Sequence, residues 1–385
     1  MDLTESAELA SWRDEVRTWL AANVPTDPLP SLDTEAGFAA HRVWEQRLYD
    51  ARLSVVTWPE EYGGRGAGLL EWLVFEEEYW GAGAPVRVSQ NGIFLLAPTI
   101  FEYGTDLIKD RFLTPMAKAE EVWAQGWSEP NAGSDLASLR SKAERVDGGW
   151  RLSGQKTWST RGAFADWMFG LFRSDPESNR HHGLTYFLFP LDADGVTVRP
   201  IRQLDGEPGF AEVFLDNVFV PDEHVLGEVG QGWSVAMATT TSERGLTLRS
   251  PGRFMASAKR LVDLYQDTAD RAPDTAAANA DAVVEAWMDA DAYRLFVLAS
   301  ALKAIDGEPI GAESSANKLF WSQLDIAIHQ TGLDLLAERA TLESDQTAAP
   351  WLDGYQFALA GPIYAGTNEV QRNIIAERVL GLPRS

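Results

Sequence analysis

Apolar residues in the first third of the chain recur at helical spacing. Leu9, Trp12, Val16, Trp19 and Leu20 fall on one face of an amphipathic helix. Residues 69–80 and 106–118 repeat the pattern, separated by turn-rich pieces such as Glu61-Tyr62-Gly63-Gly64 and Gly81-Ala82-Gly83-Ala84-Pro85. Between about 121 and 228 the period changes. Val122-Trp123-Ala124, Trp150-Arg151-Leu152, Trp167-Met168-Phe169, Leu184 to Leu188 and Val196-Thr197-Val198 are short aromatic or β-branched runs, punctuated at Asp147-Gly148-Gly149 and Pro221-Asp222. They predict strands of a small β-barrel or sandwich. After Gly232 the helical period returns in four pieces, roughly 232–265, 281–305, 311–340 and 368–380, with a kink expected at Pro251. Residues 266–280 read as an exposed helix connection and 341–357 as a loop. The predicted architecture is α+β: an N-terminal α-helical domain over 1–120, a middle β domain over 121–230, and a C-terminal four-helix bundle over 231–385.

Composition narrows the function classes. Acids outnumber bases by 57 to 33, for a formal charge of −24. Such a field repels phosphate backbones and anionic lipid, arguing against nucleic-acid or membrane-surface binding. An anionic ligand then needs local positive charge or backbone N–H donors. The absence of cysteine excludes disulfides, thiolate catalysis and cysteine-held metal. The first residues carry no basic flank or apolar core of a signal peptide, and no run reaches the length of a membrane span, so a cytoplasmic protein is expected. The 15 tryptophans read first as core residues.

Two stretches stand out chemically. Gly126-Trp127-Ser128-Glu129-Pro130-Asn131-Ala132-Gly133-Ser134-Asp135 leaves a strand and enters a turn, where glycine admits close backbone approach and Ser128 and Ser134 offer hydroxyls. Gly154-Gln155-Lys156-Thr157-Trp158-Ser159-Thr160 sets an indole beside hydroxyls at a strand end, a wall suited to a flat aromatic cofactor. Taken singly, the first reads as a polar surface turn and Trp158 as a core indole. His181 and His182 lie in a loop without an acidic partner at metal-ligand spacing and read as a surface pair. Ser134 lacks the neighbouring His/Asp pattern of a hydrolase.

Together, in this order and spacing, the two stretches resemble the central-domain motifs of the acyl-CoA dehydrogenase family. The resemblance extends from Trp58-Pro59-Glu60-Glu61-Tyr62-Gly63-Gly64 to Ile363-Tyr364-Ala365-Gly366-Thr367-Asn368-Glu369-Val370-Gln371-Arg372 and Asn373 to Gly381. It implies an FAD flavoprotein that oxidises an acyl-CoA thioester to its trans-2-enoyl-CoA. A base removes the α-proton, hydride passes to flavin N5, and electrons go on to an electron-transfer flavoprotein. Carried over by position, Gln125, Trp127, Ser128, Gly133, Ser134, Trp158, Thr160, Gly366, Thr367 and Glu369 would bind the cofactor. Ser134 and Arg244 would lie on the substrate side. A homo- or hetero-oligomer, dimer or tetramer, is also implied.

The position of Ala365 usually carries the catalytic glutamate in this family. Alanine removes that base but keeps the backbone N–H that serves as an oxyanion donor. Some relatives, including isovaleryl- and long-chain-type dehydrogenases, carry the base on the helix after the β domain, just before an arginine; Glu243, before Arg244, occupies that place. Read on its own, Glu243 would be a solvated helix acid paired with Arg244 or Lys259. The family's cross-subunit adenine clamp is poorly matched, since only Arg271 remains of Arg-x-x-Phe-Gly, and Ile328 to Leu333 replaces Gly-Gly-x-Gly. Two further readings stay open: a non-catalytic scaffold subunit of a heteromeric dehydrogenase, and an acyl-CoA oxidase on the same fold.

Overall fold

The computed structural model describes residues 5–244, 251–308, 311–312, 314–342 and 345–383, with the side chains of 241–244 left out. In chain order the elements are helices α1 (Ala7–Asn23), α2 (Glu35–Asp50), α3 (Leu69–Gly81), α4 (Ala97–Tyr103) and α5 (Asp106–Ala117). Strands follow: β1 (Trp123–Gly126), β2 (Lys142–Val146), β3 (Gly149–Thr160), β4 (Trp167–Arg173), β5 (Leu184–Pro190), β6 (Val196–Ile201), β7 (Phe210–Pro221) and β8 (Val225–Leu226). The chain closes with α6 (Gly232–Arg244), α7 (Pro251–Arg271), α8 (Pro273–Ile305), α9 (Ser314–Leu336), α10 (Ala349–Ala358) and α11 (Asn368–Ile374). Helical, β and helical thirds succeed one another, as the hydrophobic periods predict. Among the described residues, no helix is long and apolar enough to cross a membrane.

Several helices begin at the same device, a hydroxyl that accepts from the N–H three residues on and so satisfies a donor the helix cannot. Ser6 caps α1, Thr34 caps α2, Thr105 caps α5 and Thr367 caps α11. In α1 the predicted stripe buries Val16 and Leu20 completely.

The chain forms two compact units. One comprises Met1–Pro25, Gly68–Ala84 and Arg244–Ser385, so α1 and α3 join the C-terminal helices. Here α3 packs on α7 so closely that a Cβ on Gly252 would lie 2.6 Å from the Glu76 carbonyl oxygen. The second unit, Thr26–Ala67 with Pro85–Glu243, holds α2, α4, α5, the sheet and α6. Its strands form one hydrogen-bonded sheet in the order β6-β7-β3-β2-β4-β5-β8, with β1 parallel to β4. Its core includes Leu152, Met168, Phe172, Phe187, Phe189, Val213 and Val218.

Two sequence expectations are corrected. Residues 266–280 are not a connection: α7 runs to Arg271 and α8 starts at Pro273, leaving Ala272 between them. That stretch is alanine-rich, and alanine is the best helix former. Residues 341–357 are not all loop, because α10 starts beside Pro350, which suits a first helical turn. The first described residue of α7 is Pro251, and the kink expected there adjoins residues 245–250, which lie outside the described residues. Strands β2 and β7 were not anticipated: β2 (KAERV) has no apolar run and is held by the antiparallel partner β3 across Gly148, whose φ is +73°. In β7 the signal was present, as Ala211, Val213 and Leu215 alternate inward.

Candidate active site

In the sheet-containing unit, the first predicted stretch leaves β1 at Gly126. A Cβ there would meet the Met168 sulfur at 2.4 Å, so glycine lets β1 sit tight against β4. The chain then turns at Glu129–Ala132, closed by reciprocal backbone hydrogen bonds of 3.0 Å. Just before this turn the Ser128 carbonyl accepts the Thr157 N–H at 2.9 Å, which ties the first stretch to the second.

The pairing of β3 with β7 slips between Lys156 and Ser159, and Trp158 sits in that irregularity with φ +58°. A left-handed tryptophan is costly backbone, of the kind that persists where a side chain must be aimed. Trp158 is 60% exposed, unlike the core indole it resembles when taken singly. Among the described residues its ring meets Phe210, edge-on at 5.9 Å. Trp127 is buried, edge-on to Tyr186. Gln125, Ser128 and Thr160 are half-buried, and none has a side-chain hydrogen bond to another described residue. An exposed indole with unspent hydrogen-bonding groups nearby in the chain suits a flat, polar-edged cofactor. Gly133 and Ser134 are exposed on the loop that follows, with open space around Gly133.

Beneath this wall lies an ion pair whose members sequence reading quoted without giving them a role. Lys156 is fully buried, and its Nζ donates to Glu129 Oε1 at 2.9 Å and to the Leu171 carbonyl at 2.8 Å. The Glu129 carboxylate also accepts the backbone N–H groups of Arg140 and Ser141, at 2.7 and 2.9 Å. Burial pushes the lysine's pKa down, against the pull of Glu129. Burial also pushes the Glu129 carboxyl up, but Lys156 and the N–H donors outweigh it and hold the group below its ordinary value. The available signal was a lysine and a glutamate within two otherwise aromatic and glycine-rich stretches.

Helix α6 is anchored by Thr239, also missed. Its hydroxyl donates to the Val235 carbonyl and pairs with Thr99 Oγ1 at 2.8 Å and the Tyr186 hydroxyl at 3.3 Å. Burial pushes the Tyr186 phenol up, keeping it neutral. Glu243 follows Thr239 by one helical turn in α6, and Arg244 is the last described residue of that helix. The side chains of both lie outside the described residues. Lys259, the alternative partner for Glu243, pairs with Asp263 at 3.0 Å.

The helical unit carries the other predicted residues. Ala365 (φ +54°) and Gly366 (φ +76°) form a left-handed turn just ahead of α11. Gln371 Nε2 donates to the Ala365 carbonyl at 2.9 Å, which fixes that peptide's direction. Asn368 is buried and accepts from Lys318 Nζ at 2.7 Å, while its own N–H donates to the Pro362 carbonyl. The turn is thereby clamped from both sides. The Ala365 N–H makes no hydrogen bond among the described residues. Thr367 is spent as the cap of α11, and Glu369 is exposed beside Arg372 at 3.6 Å. Arg271 pairs with Asp267 of its own helix at 2.9 Å. Gly332 lies under Trp351, which fills the space a side chain would need.

The acyl-CoA dehydrogenase family matches the chain in three parts: its N-terminal domain over residues 6–120, its middle domain over 124–218 and its C-terminal domain over 230–380. Acyl-CoA dehydrogenase IpdE1 of Mycolicibacterium smegmatis is 39% identical over 98% of both chains. Among solved structures, the Tcur3481-Tcur3483 steroid ACAD is similar over the whole of both chains, with a TM-score of 0.85 and 26% identity. The ChsE4-ChsE5 complex from Mycobacterium tuberculosis is similar over the same extent, with a TM-score of 0.76 and 27% identity.

Proposed function

Because this chain belongs to the acyl-CoA dehydrogenase family, we propose that it converts an acyl-CoA thioester to the trans-2-enoyl-CoA with Glu243 as the base. The observation that carries this reading is Ala365. Its N–H is unspent among the described residues and its side chain is a methyl. A thioester α-proton is weakly acidic, so its removal needs a carboxylate and a donor on the developing enolate oxygen. Ala365 keeps the donor and lacks the carboxylate, and Glu243 supplies the latter.

FAD, when bound, supplies the hydride acceptor. Trp158 would wall its ring, and Gln125, Trp127, Ser128 and Thr160 would help to hold it. By the family's positions, Gly133, Ser134, Gly366, Thr367 and Glu369 would also contribute to cofactor binding, and Ser134 and Arg244 to substrate binding. Electrons leave to an electron-transfer flavoprotein, and the protein works in the cytoplasm. The three domains divide near residues 120 and 230. Likeness to a structure titled steroid ACAD, together with the small side chain at Ala365, favours a bulky, ring-bearing acyl group.

The test is purification followed by anaerobic titration with acyl-CoA esters of graded bulk. A yellow protein that bleaches with a ring-bearing ester is expected. A colourless protein, or a flavin that no ester bleaches, would refute the reading. Likeness to a complex of two named chains favours a second reading, a hetero-oligomer in which this chain works with a companion dehydrogenase subunit. Stoichiometric FAD and bleaching in the lone chain would refute that one.

A further inference from the structure

We infer that the buried Lys156–Glu129 pair positions the cofactor wall, setting Ser128 and Trp158 relative to one another from beneath. The inference rests on the proposed FAD site.

Its starting point is that such a pair is a poor source of stability. Two charges taken out of water lose hydration that their attraction barely returns, and apolar side chains of similar volume serve a core as well. Here the pair stands in the interior of a sheet otherwise filled by aromatic and aliphatic residues, with the ammonium 4.7 Å from the centre of the Phe172 ring. What it does achieve is connection. The lysine donates to Glu129 and to the Leu171 carbonyl of β4, and it lies 3.4 Å from the Trp127 carbonyl oxygen. That accounts for its three N–H groups. The carboxylate accepts the N–H groups of Arg140 and Ser141, closing the loop that carries Gly133 and Ser134.

Four stretches therefore meet at two side chains: the 127–129 turn, the 140–141 loop end, β3 and β4. The turn supplies Ser128 and β3 supplies Trp158, next to the Ser128–Thr157 backbone bond. Directional, charge-assisted hydrogen bonds fix these carbonyls and amides to tenths of an ångström, which apolar packing alone would not do. Trp158, left-handed and exposed, depends most on that fixing.

The test compares the purified wild type with Glu129→Gln, Lys156→Met and the double variant, which is free of unpaired charge. Three readouts serve: FAD dissociation constant, the shape of the visible flavin band, and kcat against KM with an artificial electron acceptor. At least one variant is expected to fold with a shifted flavin band, FAD binding weakened tenfold or more, and kcat down at least tenfold while KM for the acyl-CoA moves less than threefold. Folded variants with the wild-type band and kcat would overturn the inference. Failure of all three to fold would also overturn it, because the pair would then be holding the fold and not the site. A wild type that binds no FAD would instead refute the function proposed above.

Discussion

Asp325→Asn probes the interior of the helical unit. Asp325 on α9 is 1% exposed, and one guanidinium nitrogen of Arg253 on α7 reaches both its oxygens, at 2.8 and 3.1 Å. Burial alone would raise the carboxyl's pKa, but Arg253 and then His329 overcome it and hold the group at about 2, against 3.8 for a free side chain. A folded value below the unfolded one means the stabilisation is complete well above 3.8 and disappears as pH falls through about 2. Its full size is about 2.5 kcal/mol, with roughly half remaining at pH 3. Asparagine keeps the shape and removes the charge, leaving Arg253 buried without its counter-ion, so the loss at pH 7 should be about 3 kcal/mol. Urea unfolding followed by tryptophan fluorescence measures it, and the gap between wild type and variant should narrow from pH 7 to pH 3. A loss below about 1 kcal/mol at pH 7, or a gap independent of pH, would refute the reasoning.

Further predictions follow from single contacts. Ala365→Gly should stabilise the protein by about 0.5 kcal/mol, because the left-handed turn costs alanine more than the extra unfolded freedom costs glycine; a lower midpoint in thermal unfolding would contradict this. Trp158→Ala should leave stability within about 0.5 kcal/mol, as expected for a mostly exposed side chain, while markedly lowering the flavin-to-protein absorbance ratio on purification. An unchanged ratio would remove Trp158 from the cofactor wall.

Much of the fold was legible because hydrophobic period is a local property. Leu9 to Leu20 could fold only one way and bury its stripe, and the runs of β4 and β5 are mostly apolar. The misreadings came where composition stood in for period. Residues 266–280 looked like a connection because they are polar, yet Thr268 and Ala276 are the buried positions of two helices. Gly354 looked like a loop residue, but it lets α10 approach His329 so closely that a Cβ would touch the ring. Strand β2 carries three charges and exists because β3 pairs with it, information that sits elsewhere in the chain. At the candidate site, motif spacing singled out the Ser128 and Trp158 stretches, and the structure joins them through Thr157. The left-handed backbone of Trp158 and Ala365 carried no local signal, and neither did the burial of Lys156, Glu129 and Asp325. A charged residue reads as surface until its partner is seen, and these partners lie 27 and 72 residues away.

The central claim is that Glu243 takes the α-proton. The measurement that bears on it most directly is anaerobic stopped-flow bleaching of wild type and Glu243→Gln by the same acyl-CoA, with FAD content matched. Glutamine keeps the size and removes the basicity, so the account predicts bound FAD and a bleaching rate at least a thousandfold lower, about 4 kcal/mol in barrier. Full bleaching of the variant at a rate near wild type would contradict it and move the base to another carboxylate.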